Sequence, residues 1–145
     1  MSWWRIVLGS ALLLSVFLIS GFFSQLLAAA GHFRAAKSLM VSPRWVETYR
    51  PALKAYIEAG LLYQDGDYAA AREAFAAIEG EEAAAAMENV SAVRLAAQAL
   101  QSGDADAARA ALDLVDAALL PEETAAEYAA LCAELGLQTE RGPGV

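Results

Sequence analysis

The sequence is short of the residues from which catalytic and metal sites are usually built. Among 145 residues there is one cysteine, Cys132, one histidine, His32, and four prolines, and no acidic residue precedes Glu47. A lone cysteine rules out an intrachain disulfide and says nothing of the redox compartment. Cys132 stands in the apolar run Ala129-Ala130-Leu131-Cys132-Ala133, the setting of a buried small hydrophobe rather than a nucleophile. His32 has no second histidine or cysteine nearby to complete a metal site, so a solvated or headgroup-contacting imidazole is expected. The acidic groups Glu79/Glu81/Glu82 and Glu122/Glu123 fall at a helix end and a helix start, where solvated charge is ordinary, and nothing pairs them as general acid and base. No phosphate-cradling glycine loop, His-Glu-x-x-His or nucleophile elbow occurs. These absences point away from an enzyme and from any cofactor or metal.

Charge is also unevenly spread. Residues 1–46 carry only Arg5, Arg34, Lys37 and Arg44, while the chain as a whole has a net charge of −8. That asymmetry separates a basic N-terminal part from an acidic remainder. An acidic domain without clustered Lys and Arg is a poor partner for phosphates, which excludes nucleic acid as the main ligand. Apolar residues make up 58% of the chain and alanine dominates its second half, so an all-α protein with one modest core is expected.

What the sequence has in quantity is an uncharged apolar run from Ile6 to Gly31. About 20 residues suffice to cross a ~30 Å hydrocarbon layer, so residues 1–31 read as a transmembrane anchor. Trp3 and Trp4 suit one membrane interface, and Arg34, Lys37 and Trp45 the other. A cleaved signal peptide is the competing reading, because Ala28-Ala29-Ala30 offers a small-residue site, although the run exceeds the 7–15 residues of a signal core. Within the run Ser20, Gly21, Ser24 and Gln25 form a small and polar patch through which transmembrane helices approach one another closely.

The rest of the chain is organised by a repeat. Gln64-Asp65-Gly66-Asp67-Tyr68-Ala69-Ala70-Ala71-Arg72-Glu73-Ala74-Phe75 returns 37 residues later as Gln101-Ser102-Gly103-Asp104-Ala105-Asp106-Ala107-Ala108-Arg109-Ala110-Ala111-Leu112. Each copy is a Gly-Asp turn between two helices, the mark of a stacked helical array. A shorter echo, Gly31-His32-Phe33-Arg34-Ala35-Ala36, lies 35 residues before Gly66. Either residues 32–50 hold a degenerate first repeat continuous with the anchor, or they are a juxtamembrane linker. Helices are expected over 51–63, 68–78, 90–100, 105–119 and 121–135, with residues 81–89 as an acidic, alanine-rich bridge able to extend either neighbouring helix and 137–145 as a flexible tail.

The turn glycines Gly66 and Gly103, the pairs Ala71…Phe75 and Ala108…Leu112, and the small residues Ala59 and Ala96 of the preceding helices resemble the tetratricopeptide repeat family. The resemblance implies antiparallel helical hairpins over 51–136, closed by a C-terminal capping helix that opens at Pro121. It further implies a concave face lined by the first helix of each hairpin, at Tyr56, Gly60, Tyr63 and Gln64, then Arg94 and Gln101. Two tyrosines beside a glycine and opposite an arginine suit a helix or an extended peptide, while tyrosines at helical spacing also suit a core.

Two functions are consistent with these features. One is a single-pass scaffold that docks or assembles protein partners, including other membrane-complex subunits, at the bilayer. The other is a small accessory or structural subunit of a membrane complex, held mainly through its transmembrane helix. Basic residues after the apolar run favour a cytoplasmic repeat domain on an inner membrane, whereas Arg5 and the frequency of N-terminal signal anchors favour the opposite side. The alanine-rich composition suits a bacterial genome of high GC content.

Overall fold

The computed structural model describes residues 3–38 and 51–137, so Trp45, the rest of the aromatic and basic stretch from 44 to 50, and the tail from 138 lie outside the described residues. Every regular element among the described residues is helical. Seven α-helices follow one another among the described residues: α1 Trp3–Ala29, α2 Phe33–Ser38, α3 Pro51–Gln64, α4 Tyr68–Ala76, α5 Glu82–Gln101, α6 Ala105–Leu112 and α7 Glu122–Glu134, with a 3-10 turn at Ala117–Leu119 before the last. Two compact units are present, one ending at Leu61 and the other beginning at Leu62.

The links between helices repeat one piece of backbone chemistry. Gly31, Gly66, Gly103 and Gly136 all have φ between 68° and 82°, the left-handed region that glycine enters without a Cβ penalty. At each, the glycine N–H reaches back three residues and the next N–H reaches back five, for example Gly66 to Tyr63 at 3.1 Å and Asp67 to Leu62 at 3.1 Å. Gly103 and Asp104 bond to Leu100 and Ala99, and Gly31 and His32 to Ala28 and Leu27, in the same way. This double bond closes the carbonyls that a helix end leaves open. The following aspartate then starts the next helix: Asp67 accepts from the Ala70 N–H at 3.2 Å and Asp104 from the Ala107 N–H at 3.0 Å. Gly-Asp thus ends one helix and begins another within two residues.

Small residues occupy equivalent places around three of these turns. Seven residues before the glycine stand Ser24, Ala59 and Ala96, and five after it stand Ala36, Ala71 and Ala108, all with 0% exposure. In the first unit, Ala28, Phe33, Ala36 and Ile57 form one apolar cluster, extended by Leu27, Leu53, Tyr56 and Leu61. That cluster draws the first turns of α3 into the unit that contains α1 and α2, past the division that Pro51 suggests in the sequence. In the second unit α5 is the central helix, with α4 and α6 packed on it and α7 in lighter contact. Val93, Ala96, Ala111, Leu112, Leu131 and Cys132 form its core.

Residues 82–89 extend the helix that follows them, one of the two neighbours open to them, as their run of alanines favours. Two helix boundaries differ from expectation. α4 stops at Ala76, short of Ile78, where Gly80 at φ 77° follows. α6 ends at Leu112 instead of 119, because two aspartates redirect the chain: Asp113 caps the helix, and the Asp116 side chain accepts from Ala118 at 3.0 Å to start a 3-10 turn. The Asp116 N–H donates to Asn89 Oδ1 at 2.7 Å, which fixes this detour on α5.

The crossing positions give a direct check. Leucine in place of Ala108, fully enclosed on α6, is expected to destabilise the chain by about 1–3 kcal/mol through overpacking. The same change at exposed Ala110, on the same helix, is expected to stay within about 0.5 kcal/mol. Urea unfolding of the two purified variants compares them, and equal losses would contradict the packing described.

Candidate functional site

The residues expected to line a partner groove fall into two sets, each within one compact unit. In the first, Gly60 is buried and Tyr56 half-buried, and both meet Phe33. The Phe33 ring lies where a Cβ on residue 60 would stand, so glycine is required there for the ring to fit. The Tyr56 ring packs on Phe33 at 5.8 Å between centroids with a 59° tilt, a favourable aromatic geometry. Burial pushes the Tyr56 phenol above its usual pKa. Tyr56 and Gly60 therefore hold α2 in place, a packing role that sequence spacing alone leaves undecided between groove and core.

In the second set, Tyr63 and Arg94 are joined. Arg94 Nε donates to Tyr63 Oη at 3.2 Å, and Nη1 donates to Glu127 Oε1 at 2.9 Å. One guanidinium thus links the end of α3, the middle of α5 and α7. The Tyr63 hydrogen bond, more than the nearby carboxylate, holds the Arg94 pKa above its usual value. Tyr63 also packs edge-on against Tyr68 at 5.2 Å across the Gly66 turn. Nearby, the Gln98 amide donates to the Gly66 carbonyl at 3.4 Å. Gln64 and Gln101, the last residues of α3 and α5, are exposed. The Arg94–Glu127 pair is partly exposed, 42% and 30% by side chain, so it contributes about 1 kcal/mol or less. Its value lies more in orientation than in stability.

Sequence reasoning did not single out Glu127, Gln98 or Phe33 as partners of these residues. Glu127 and Gln98 lie on helices whose register becomes known only in three dimensions. Phe33 was within reach, as the aromatic of the Gly31 echo.

The small and polar patch of α1 is also partly accounted for. Ser24 is fully buried, and its hydroxyl donates to the Ala36 carbonyl of α2 at 2.8 Å. Gly21 is buried and Ser20 half-buried on the same side, while Gln25 is exposed. Ser24 holds the place that Ala59 and Ala96 hold in the later repeats, so counting seven residues back from Gly31 finds it. Much of the rest of α1 is bare: Ile6, Leu8, Leu12, Leu13, Leu14, Leu18, Phe22, Phe23 and Leu26 are each at least half exposed, as are Trp3 and Trp4 near its start. With 27 residues and a mean hydropathy of 2.4, α1 is long and apolar enough to cross a membrane. Arg34 and Lys37 are exposed on α2, and His32 is exposed in the Gly31 turn.

Among the described residues no three His, Cys, Asp or Glu side chains gather as a metal site. Cys132 is buried in the core of the second unit. Compared with protein-family models, curated proteins and solved structures, the chain matches none.

The tyrosines carry a pH consequence. Burial raises the pKa of both Tyr56 and Tyr128, so the fold favours the neutral phenols. Their contribution is complete below the unfolded-state value of about 10 and is lost as pH climbs through the higher folded-state values. Alkaline unfolding monitored by circular dichroism is expected to be shallower in the Tyr56→Phe/Tyr128→Phe variant than in the parent. An unchanged profile would rule out this linkage.

Proposed function

We propose that this chain is a single-pass membrane scaffold of a bacterial cytoplasmic membrane. α1 is its anchor, and helical repeats of the tetratricopeptide type dock or assemble protein partners. The observation that carries the reading is the conjunction of a bare apolar helix with a recurring turn. A 27-residue helix with large aliphatic and aromatic side chains exposed along most of its length needs an apolar solvent, and a bilayer supplies it. The Gly-Asp turn, with its paired enclosed small residues, is the unit from which stacked arrays are made, and such arrays work by binding. α7, preceded by Pro121 and carrying Glu122 and Glu123 in its first turn, is the capping helix of this reading. Such a protein has no reaction of its own.

On this account the groove is reached through the exposed ends Gln64 and Gln101, with the Tyr63–Arg94–Glu127 link as its rigid floor, while Tyr56 and Gly60 serve the packing of the first unit. The rival, an accessory subunit of a membrane complex held through α1, draws on the same exposed apolar side chains. The two separate on where partners are lost.

Affinity purification of the full-length chain from mild detergent is the test. Gln64→Ala combined with Gln101→Ala, both exposed, is expected to cut recovery of the co-purifying protein at least fivefold, as loss of a binding contact worth about 1 kcal/mol implies. Phe22→Ala with Phe23→Ala is expected to leave recovery intact. The opposite pattern would replace the scaffold reading with that of the α1-held subunit.

A further inference from the structure

The apolar sequence run reaches Gly31, but the fold does not permit the bilayer to reach that far. α2 turns back along α1 at Gly31, and the Ser24 hydroxyl bonded to the Ala36 carbonyl sets Ala36 level with Ser24. At ~1.5 Å per residue, Ser24 lies roughly 10 Å along α1 from the turn. Lys37, next to Ala36, and Arg34 are therefore carried back beside the last turns of α1 rather than beyond its end. α3 joins them there, with Leu53, Tyr56 and Ile57 packed in the cluster of Ala28, Phe33 and Ala36, and it brings Lys54 and Glu58. Charged side chains on two helices beside residues 24–29 demand water or headgroups at that level.

The two faces of this part of α1 differ accordingly. Gly21, Ser24 and Ala28 are buried on the side of the packed helices. Phe22, Phe23 and Leu26 remain half exposed on the other, with 57%, 51% and 50% of their surface open. Aromatic and aliphatic groups on one side with basic groups on the other match the boundary between acyl chains and headgroups. At the hairpin α2 carries Arg34 and Lys37, both positive, while Lys54 and Glu58 of α3 offset one another, and the net positive charge selects anionic headgroups.

We propose that the hydrocarbon-spanning part of α1 ends near Ile19, and that the α1–α2 hairpin sits in one headgroup layer. Arg34 and Lys37 then contact anionic phospholipid headgroups, and Phe22, Phe23 and Leu26 meet the adjoining acyl chains. The spanning part is Trp3 to Ile19, about 25 Å at ~1.5 Å per residue, at the short end of what crosses a bilayer. This inference rests on the membrane reading above and deepens it by naming the depth and the lipid class. It also gives Ser24 a use that requires no second transmembrane helix: it closes the hairpin that brings the basic side chains to the headgroups.

The full-length chain with Cys132→Ser, and one added cysteine at exposed Leu18, Leu26 or Ala35, is labelled with an environment-sensitive fluorophore. It is reconstituted in vesicles of phosphatidylcholine and phosphatidylglycerol in equal parts. Nitroxide lipids labelled at the chain end or near the headgroup report depth. The label at 18 is expected to be quenched best by the deep nitroxide, that at 26 by the shallow one, and that at 35 by an aqueous quencher. Deep quenching at both 18 and 26 would overturn the boundary at Ile19, whereas no lipid quenching at 18 would instead refute membrane insertion itself. For the lipid class, shallow-labelled phosphatidylglycerol and phosphatidylcholine are compared at position 26. Each basic side chain near an anionic surface strengthens association about fivefold, so preferential quenching by phosphatidylglycerol is expected. It should be lost in Arg34→Gln/Lys37→Gln and in high salt. Equal quenching by the two lipids in the parent chain would overturn the headgroup contact.

Discussion

Close approach of helix backbones at small residues is the constraint on which the rest of the structure depends. Ser24, Ala59 and Ala96 before the turns, and Ala36, Ala71 and Ala108 after them, are completely enclosed. A larger side chain at these points would push neighbouring helices apart, and the glycine turns that place them leave little freedom to adjust. Everything that looks specific in the molecule follows from that spacing. The Phe33 ring reaches Gly60, the Ser24 hydroxyl reaches the Ala36 carbonyl, and Arg94 spans from Tyr63 to Glu127.

The same constraint joins two parts that composition keeps separate. By hydropathy, α1, long and apolar enough to cross a membrane, stands apart from the remainder, which carries every acidic residue. By packing, the last turns of α1 belong with α2 and the start of α3, in one compact unit that ends at Leu61. A serine marks the join, and an alanine there would remove the hydroxyl that donates to the Ala36 carbonyl. In the proposed function this continuity makes the last turns of the anchor part of the first folded unit.

Much of the fold was legible because its punctuation is local. Glycine at φ near 80° followed by aspartate is readable from two letters at Gly66 and Gly103, while the echo at Gly31, which His32 follows, is readable from the aromatic two residues on and the alanine five residues on. Proline at 51 and 121 marked helix starts for equally local reasons. The end of α6 was missed because it depends on Asn89, far away in sequence, holding the Asp116 amide. Alanine-rich stretches such as 81–89 carry strong helical propensity but no period, so their assignment to α5 required the neighbours. The candidate site was less legible than the fold. Tyr56 and Tyr63 share a helix and a spacing of seven, yet one packs on Phe33 and the other bonds to Arg94. Spacing identifies a face of a helix, and only the partner says whether that face is wall or floor.

The central claim is that the exposed apolar helix lives in a bilayer. The most direct measurement is alkaline extraction and density flotation of membranes from cells expressing the full-length chain. The account predicts that the chain stays with the floating membranes at high pH, as an integral protein does. Release of the intact chain into the alkaline supernatant would contradict it.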